Sequence, residues 1–121
     1  MLRSTLSIGL LLLAICPAGA QARPTAPELA CRQAPDAQVC AGRQPDCALC
    51  HDGTPPELNT FGASLQSALH GLTPDRSEAG FEQWFGAAWV QAVQLDPDGD
   101  GFRSIYELRR GTDPASGESY P

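Results

Sequence analysis

The chain has 121 residues and a formal charge of −6, with no lysine and no basic cluster. That balance excludes nucleic acid and anionic membrane surfaces as natural partners and favours a cation or a basic protein. Of the five cysteines four lie beyond residue 22, and an export signal over residues 1–22 would place them where thiols oxidise.

Met1-Leu2-Arg3 is a short positive start, and Leu6 to Ile15 is an apolar run too short to span a bilayer. Ala18-Gly19-Ala20 and Ala20-Gln21-Ala22 both offer the small residues that a signal peptidase reads. Residues 1–22 therefore read as a secretory signal peptide, and the protein is expected to be periplasmic or secreted. Lipidation at Cys16 is the lesser alternative, because bulky Ile15 stands where a lipobox wants a small residue. No later stretch resembles a membrane span. Removal of the signal takes Arg3 with it and leaves a charge of −7. About 100 residues then remain, a size at which a disulfide, metal or cofactor usually supplements a thin core.

Residues 23–46 are rich in Pro, Ala and Gln and follow no apolar period of two or 3.6. They predict an irregular leader. Cys31 and Cys40 bracket its second half, and a disulfide between them would close that loop. Four cysteines permit three pairings, so other partners stay open.

Residues 47–116 carry the motifs, with 117–121 as a tail. Cys47-Ala48-Leu49-Cys50-His51 is the attachment pattern of a c-type haem. Two thiols at that spacing add across the vinyl groups on one porphyrin edge, and the adjoining histidine binds iron from below. If haem takes Cys47 and Cys50, Cys31–Cys40 is the only pairing left. The sole methionine is Met1, which excludes methionine as the second iron ligand. His70 is the only other histidine, and where it does not fold over the ring the distal position is water or empty. Its plain reading is a helix-end histidine facing solvent.

Asp52-Gly53-Thr54-Pro55-Pro56 predicts a turn. Leu58, Phe61, Leu65, Ala68 and Leu69 give one apolar face to a helix over 57–70, with Gly71 as its stop. Thr73-Pro74 predicts a short helical turn. Phe81, Trp84, Phe85, Ala88, Trp89, Ala92 and Val93 form the clearest stripe, over 80–94. These rings could wall a haem or form the core, the commoner fate of such a stripe. A last short helix spans 104–110 and stops at Gly111. No stretch alternates as a strand, so the fold class is all-α, with three or four short helices.

Asp96 to Glu107 fits the twelve-position calcium loop. Asp96, Asp98 and Asp100 stand at positions one, three and five, and Gly101 at the sharp turn. Phe102 offers its carbonyl at seven, Ser104 falls at nine, and Glu107 closes the site at twelve. Arg103 departs from the pattern at position eight, where paired calcium loops carry an aliphatic residue. An unpaired structural site of modest affinity follows. A solvated acidic turn is the alternative, but four carboxylates so close would repel one another without a cation.

The string from Asp96 to Asp113-Pro114 resembles the calcium-binding repeats of thrombospondin type 3, in which Asp113 would be a further ligand. Cys47 to Pro114 as a whole resembles the temptin-like domain, which includes an Asn-x-Phe-Gly element, here Asn59-Thr60-Phe61-Gly62. The resemblance implies a small secreted domain held by calcium and a cysteine cross-link. It also implies the rival fate of the thiols, in which Cys47 and Cys50 pair with Cys31 and Cys40. Bacterial relatives with Cys-x-x-Cys-His are similar to c-type cytochromes.

Two functions are chiefly expected, with a third, an enzyme acting on peroxide or a small gas at an open distal iron, requiring His70 to be off the iron. The first is an exported monohaem cytochrome, not an enzyme, carrying haem c and calcium and transferring electrons to a redox partner with a basic docking surface. The second is a haem-free secreted binding module of the temptin-like kind. No hydrolytic triad or phosphate loop suggests other chemistry.

Overall fold

The computed structural model describes residues 23–42, 45–53 and 55–121. The expected signal peptide and Cys16 lie outside the described residues. Among those residues there are four α-helices and no strand: α1 (Ala26–Gln33), α2 (Thr60–Leu72), α3 (Glu78–Ala92) and α4 (Ser104–Arg110). The fold class is all-α, as expected.

The leader is more regular than its composition suggested. Pro27 sits in the first turn of α1, where its missing N–H costs nothing. Ala30 and Ala34 are buried against the core, so the helix packs by small volume rather than by a hydrophobic stripe. Cys31 and Cys40 are joined, with Cα atoms 5.6 Å apart, which ties α1 to the 3-10 turn Gln38–Cys40. That turn supports α4 in its turn. The disulfide stabilises by restricting the unfolded chain, over the short loop of nine residues' separation that it closes.

Helix α2 starts and stops later than its apolar face implied. Asn59 caps it, with the side-chain oxygen accepting from the Gly62 N–H at 2.8 Å. At the far end Gly71 stays helical and Leu72 still packs on the core. The stop comes from Thr73, which precedes Pro74 and is held extended at φ −150° and ψ 139°. The short helix expected at Thr73-Pro74 is absent. Ser77 instead caps α3 through the Gly80 N–H. Helix α4 ends as expected, with Gly111 left-handed at φ 76°.

Helices α2 and α3 form the main pair, with α1 against α3. Their shared core is aromatic. Phe61 meets Trp89 edge-on at 5.6 Å, Phe85 stacks on Trp89 at 5.8 Å, and Phe81 follows Phe85 at 5.3 Å. Phe61, Phe85 and Trp89 are buried, and Trp84 is half-buried. The stripe closes on itself and forms the core.

Candidate functional site

The Cys47–His51 loop is built outward from α2. Asp46 accepts from the Ala48 N–H at 2.8 Å and starts a 3-10 turn over Cys47–Leu49. The His51 N–H then donates to the Cys47 carbonyl at 2.9 Å. Asn59 fastens this turn to the start of α2. Its amide nitrogen donates to the Ala48 and Leu49 carbonyls at 3.0 and 3.1 Å, and its backbone N–H donates to the Cys50 carbonyl at 3.0 Å. Gly62 lets that carbonyl approach, because a Cβ there would run into it. The Asn-x-Phe-Gly element is thus a clamp: Asn59 grips the loop, Phe61 anchors the core, and Gly62 makes room.

His51 is oriented as well as placed. Its Nδ1 lies 2.9 Å from the Glu57 carbonyl, which can only accept, so Nδ1 carries the proton. The Nε2 lone pair is left to bind a metal, the arrangement usual behind a ligating histidine. Cys47 is exposed and Cys50 half-buried, and neither is bonded to another cysteine. With Cys31 and Cys40 joined to each other, the rival pairing across the two cysteine pairs does not occur. Burial, then the neighbouring Cys47, pushes the Cys50 thiol up to about 12. A thiol so raised is a poor attacking group at neutral pH, unlike the activated cysteine of a redox Cys-x-x-Cys pair.

A haem would find its attachment atoms here. Beside the loop is an open cleft of about 360 Å³, between Asp46, Ala48 and Leu49 on one side and Thr112, Asp113 and Pro114 on the other. His70 is not part of this site. It is exposed near the C-terminal end of α2, while the loop is fastened to Asn59 at the N-terminal end. Ten helical steps separate Thr60 from His70, about 15 Å at the usual rise.

The acidic loop supplies the second site. Asp96, Asp98 and Asp100 bring carboxylate oxygens within 4.8 Å of one another. Asp96 accepts from the Gly99 and Gly101 N–H groups, both at 2.9 Å, which curls the loop around it. Gly99 and Gly101 have φ of 77° and 96°, and that curl requires them. From the other side α4 carries Glu107 into the protein with no exposure at all.

Four buried oxygens have no hydrogen-bond partner: Asp98 Oδ2, Asp100 Oδ2 and both oxygens of Glu107. Unpaired buried carboxylate oxygens are costly, and together these four match the hard-oxygen set that calcium takes. Burial pushes the Glu107 carboxyl up to about 7, with Asp98, Asp100, Asp113 and Asp96 adding to the effect.

The remaining expected ligands are placed less directly. Ser104 is buried, with its hydroxyl donating to the Leu95 carbonyl at 3.2 Å, so it ties the two ends of the loop together. Phe102 is exposed and donates its N–H to Asp100 at 2.7 Å. Asp113 is exposed and accepts from the Ala115 N–H, yet it is close enough to Glu107 to raise its pKa. Arg103 turns outward to Gln94 and leaves the interior of the loop to the acids.

Glu107 gives the chelated protein a pH signature. Its folded-state pKa lies above its ordinary value of 4.5, so the folded chain holds that proton more tightly than the unfolded chain. Stability therefore falls as pH rises between those two values. In chelator the melting temperature is expected to be lower at pH 8 than at pH 5.5. Equal or inverted values would contradict the burial of a proton-hungry Glu107.

No family model matches the chain, and no curated protein or solved structure matches it either.

Proposed function

We propose that this chain is an exported, calcium-clasped domain that presents Cys47–His51 as the attachment site of a single haem c and serves in electron transfer. The observation that carries the reading is the state of the loop. Two unbonded thiols stand at haem-attachment spacing, and the histidine behind them has Nδ1 tied to the Glu57 carbonyl. Cys47 and Cys50 would hold the porphyrin edge and His51 would be the proximal ligand. The bound group would supply a one-electron redox centre. Asp96, Asp98, Asp100 and Glu107, with Asp113 alongside, would hold calcium and keep α4 against the rest of the domain. The excess of acid over base suits a partner with a basic docking face.

His70 is not offered as the distal ligand, given its place at the other end of α2. Expression alongside c-type maturation proteins is expected to give a haemochrome spectrum that Cys47→Ser with Cys50→Ser abolishes. A colourless product with both thiols free or oxidised would overturn the cytochrome reading.

A second reading has its own support. The aromatic core is complete by itself, with Phe61, Phe85 and Trp89 packed ring on ring. That favours a haem-free, temptin-like module held by calcium and the Cys31–Cys40 bridge. A porphyrin-sized mass increase on the purified protein would rule it out.

A further inference from the structure

We infer that Asn59 is a positioning residue, which holds the Cys47–His51 loop in its attachment-ready shape before any porphyrin arrives. The reading builds on the haem assignment for its purpose, but the clamp is a property of the haem-free chain. Asn59 uses every polar group it has on two tasks. Its side-chain oxygen caps α2 through Gly62, and its amide donates to the Ala48 and Leu49 carbonyls while its backbone N–H holds the Cys50 carbonyl.

Only an amide does both, because it alone combines an acceptor with two N–H donors on one short side chain. Serine or aspartate would serve the cap as well. Neither could satisfy the two loop carbonyls, and aspartate would repel them. The same turn sets the histidine: His51 and Leu58 form a bridge pair, and the Glu57 carbonyl that accepts from His51 Nδ1–H belongs to the residue just before Leu58. Asn59 thus holds the backbone of the thiol-bearing turn against α2, next to the Glu57 carbonyl that orients the imidazole. A preformed loop avoids the cost of ordering at the moment of attachment.

The two roles separate in the haem-free protein. Asn59→Asp and Asn59→Ser keep a capping acceptor and remove the two donors. Both are expected to retain wild-type helix content by circular dichroism. Alkylation of Cys50 by iodoacetamide, followed by mass spectrometry, should speed up by about tenfold or more, the scale of two lost hydrogen bonds. Cys47, already exposed, should change little.

If either folded variant protects Cys50 as well as wild type does, Asn59 is only a helix cap and the inference fails. If both variants lose helix content, Asn59 is a global structural residue and the inference fails as well. Haem loading reads the other question. A wild-type chain that shows the clamp but never takes up haem would sink the cytochrome reading and leave the clamp standing.

Discussion

Removing calcium from the folded protein is expected to lower its melting temperature by about 10–20 °C. A ligand at about a hundred times its dissociation constant contributes about 2.7 kcal/mol to stability. In a domain of about 100 residues each kcal/mol moves the midpoint by roughly 4–8 °C. The physical source is local. Without a cation the fully buried Glu107 faces Asp98 and Asp100 with four oxygens unpaired. Glu107→Gln separates calcium binding from mere loop folding. It should abolish the calcium-dependent shift and, by deleting one crowded charge, raise the melting temperature of the chelated protein. Differential scanning calorimetry with and without chelator checks both. A wild-type curve indifferent to chelator would contradict the calcium assignment.

Two glycines of the same helix should respond in opposite directions to the same substitution. Gly71→Ala adds a methyl group that meets nothing within 4 Å. It should stabilise by about 0.5–1 kcal/mol, the usual gain of alanine over glycine in a helix. Gly62→Ala makes the same chemical change where the new Cβ would strike the Cys50 carbonyl. That carbonyl is held by the Asn59 N–H at 3.0 Å, so relief requires moving the backbone of the loop itself. A loss of about 3 kcal/mol is expected, at the upper end of overpacking costs. Denaturant titration of both variants measures the contrast. Similar effects at the two positions would refute the close packing of the loop on α2.

The features legible in the sequence are those whose signal is local. The acidic loop announces itself because its geometry depends on neighbours a few residues away, down to the glycine at 101. Helix α4 and its stop at Gly111 were readable for the same reason. Helix α1 was hidden because it packs through Ala30 and Ala34, which leave no hydrophobic period, and through a cross-link to Cys40.

The ends of α2 depended on a contest between signals. Asn59 outcompeted the apolar pattern as a cap at one end, and Thr73 before Pro74 overrode Gly71 at the other. The aromatic stripe was visible, but not its partner, since period alone cannot distinguish a ring stacked on another ring from a ring facing a cofactor. The clamp on the Cys47–His51 loop was the least legible feature. Its acceptors are the carbonyls of Ala48, Leu49 and Glu57, and every residue type carries the same carbonyl.

The central claim is that Cys47 and Cys50 are covalent anchors. The intact mass of the natively exported protein, taken before and after denaturing alkylation, tests it most directly. The expected result is a mass one haem above that of the polypeptide, with neither Cys47 nor Cys50 open to alkylation after reduction. A mass equal to the bare polypeptide, with both of these cysteines alkylated, would contradict it.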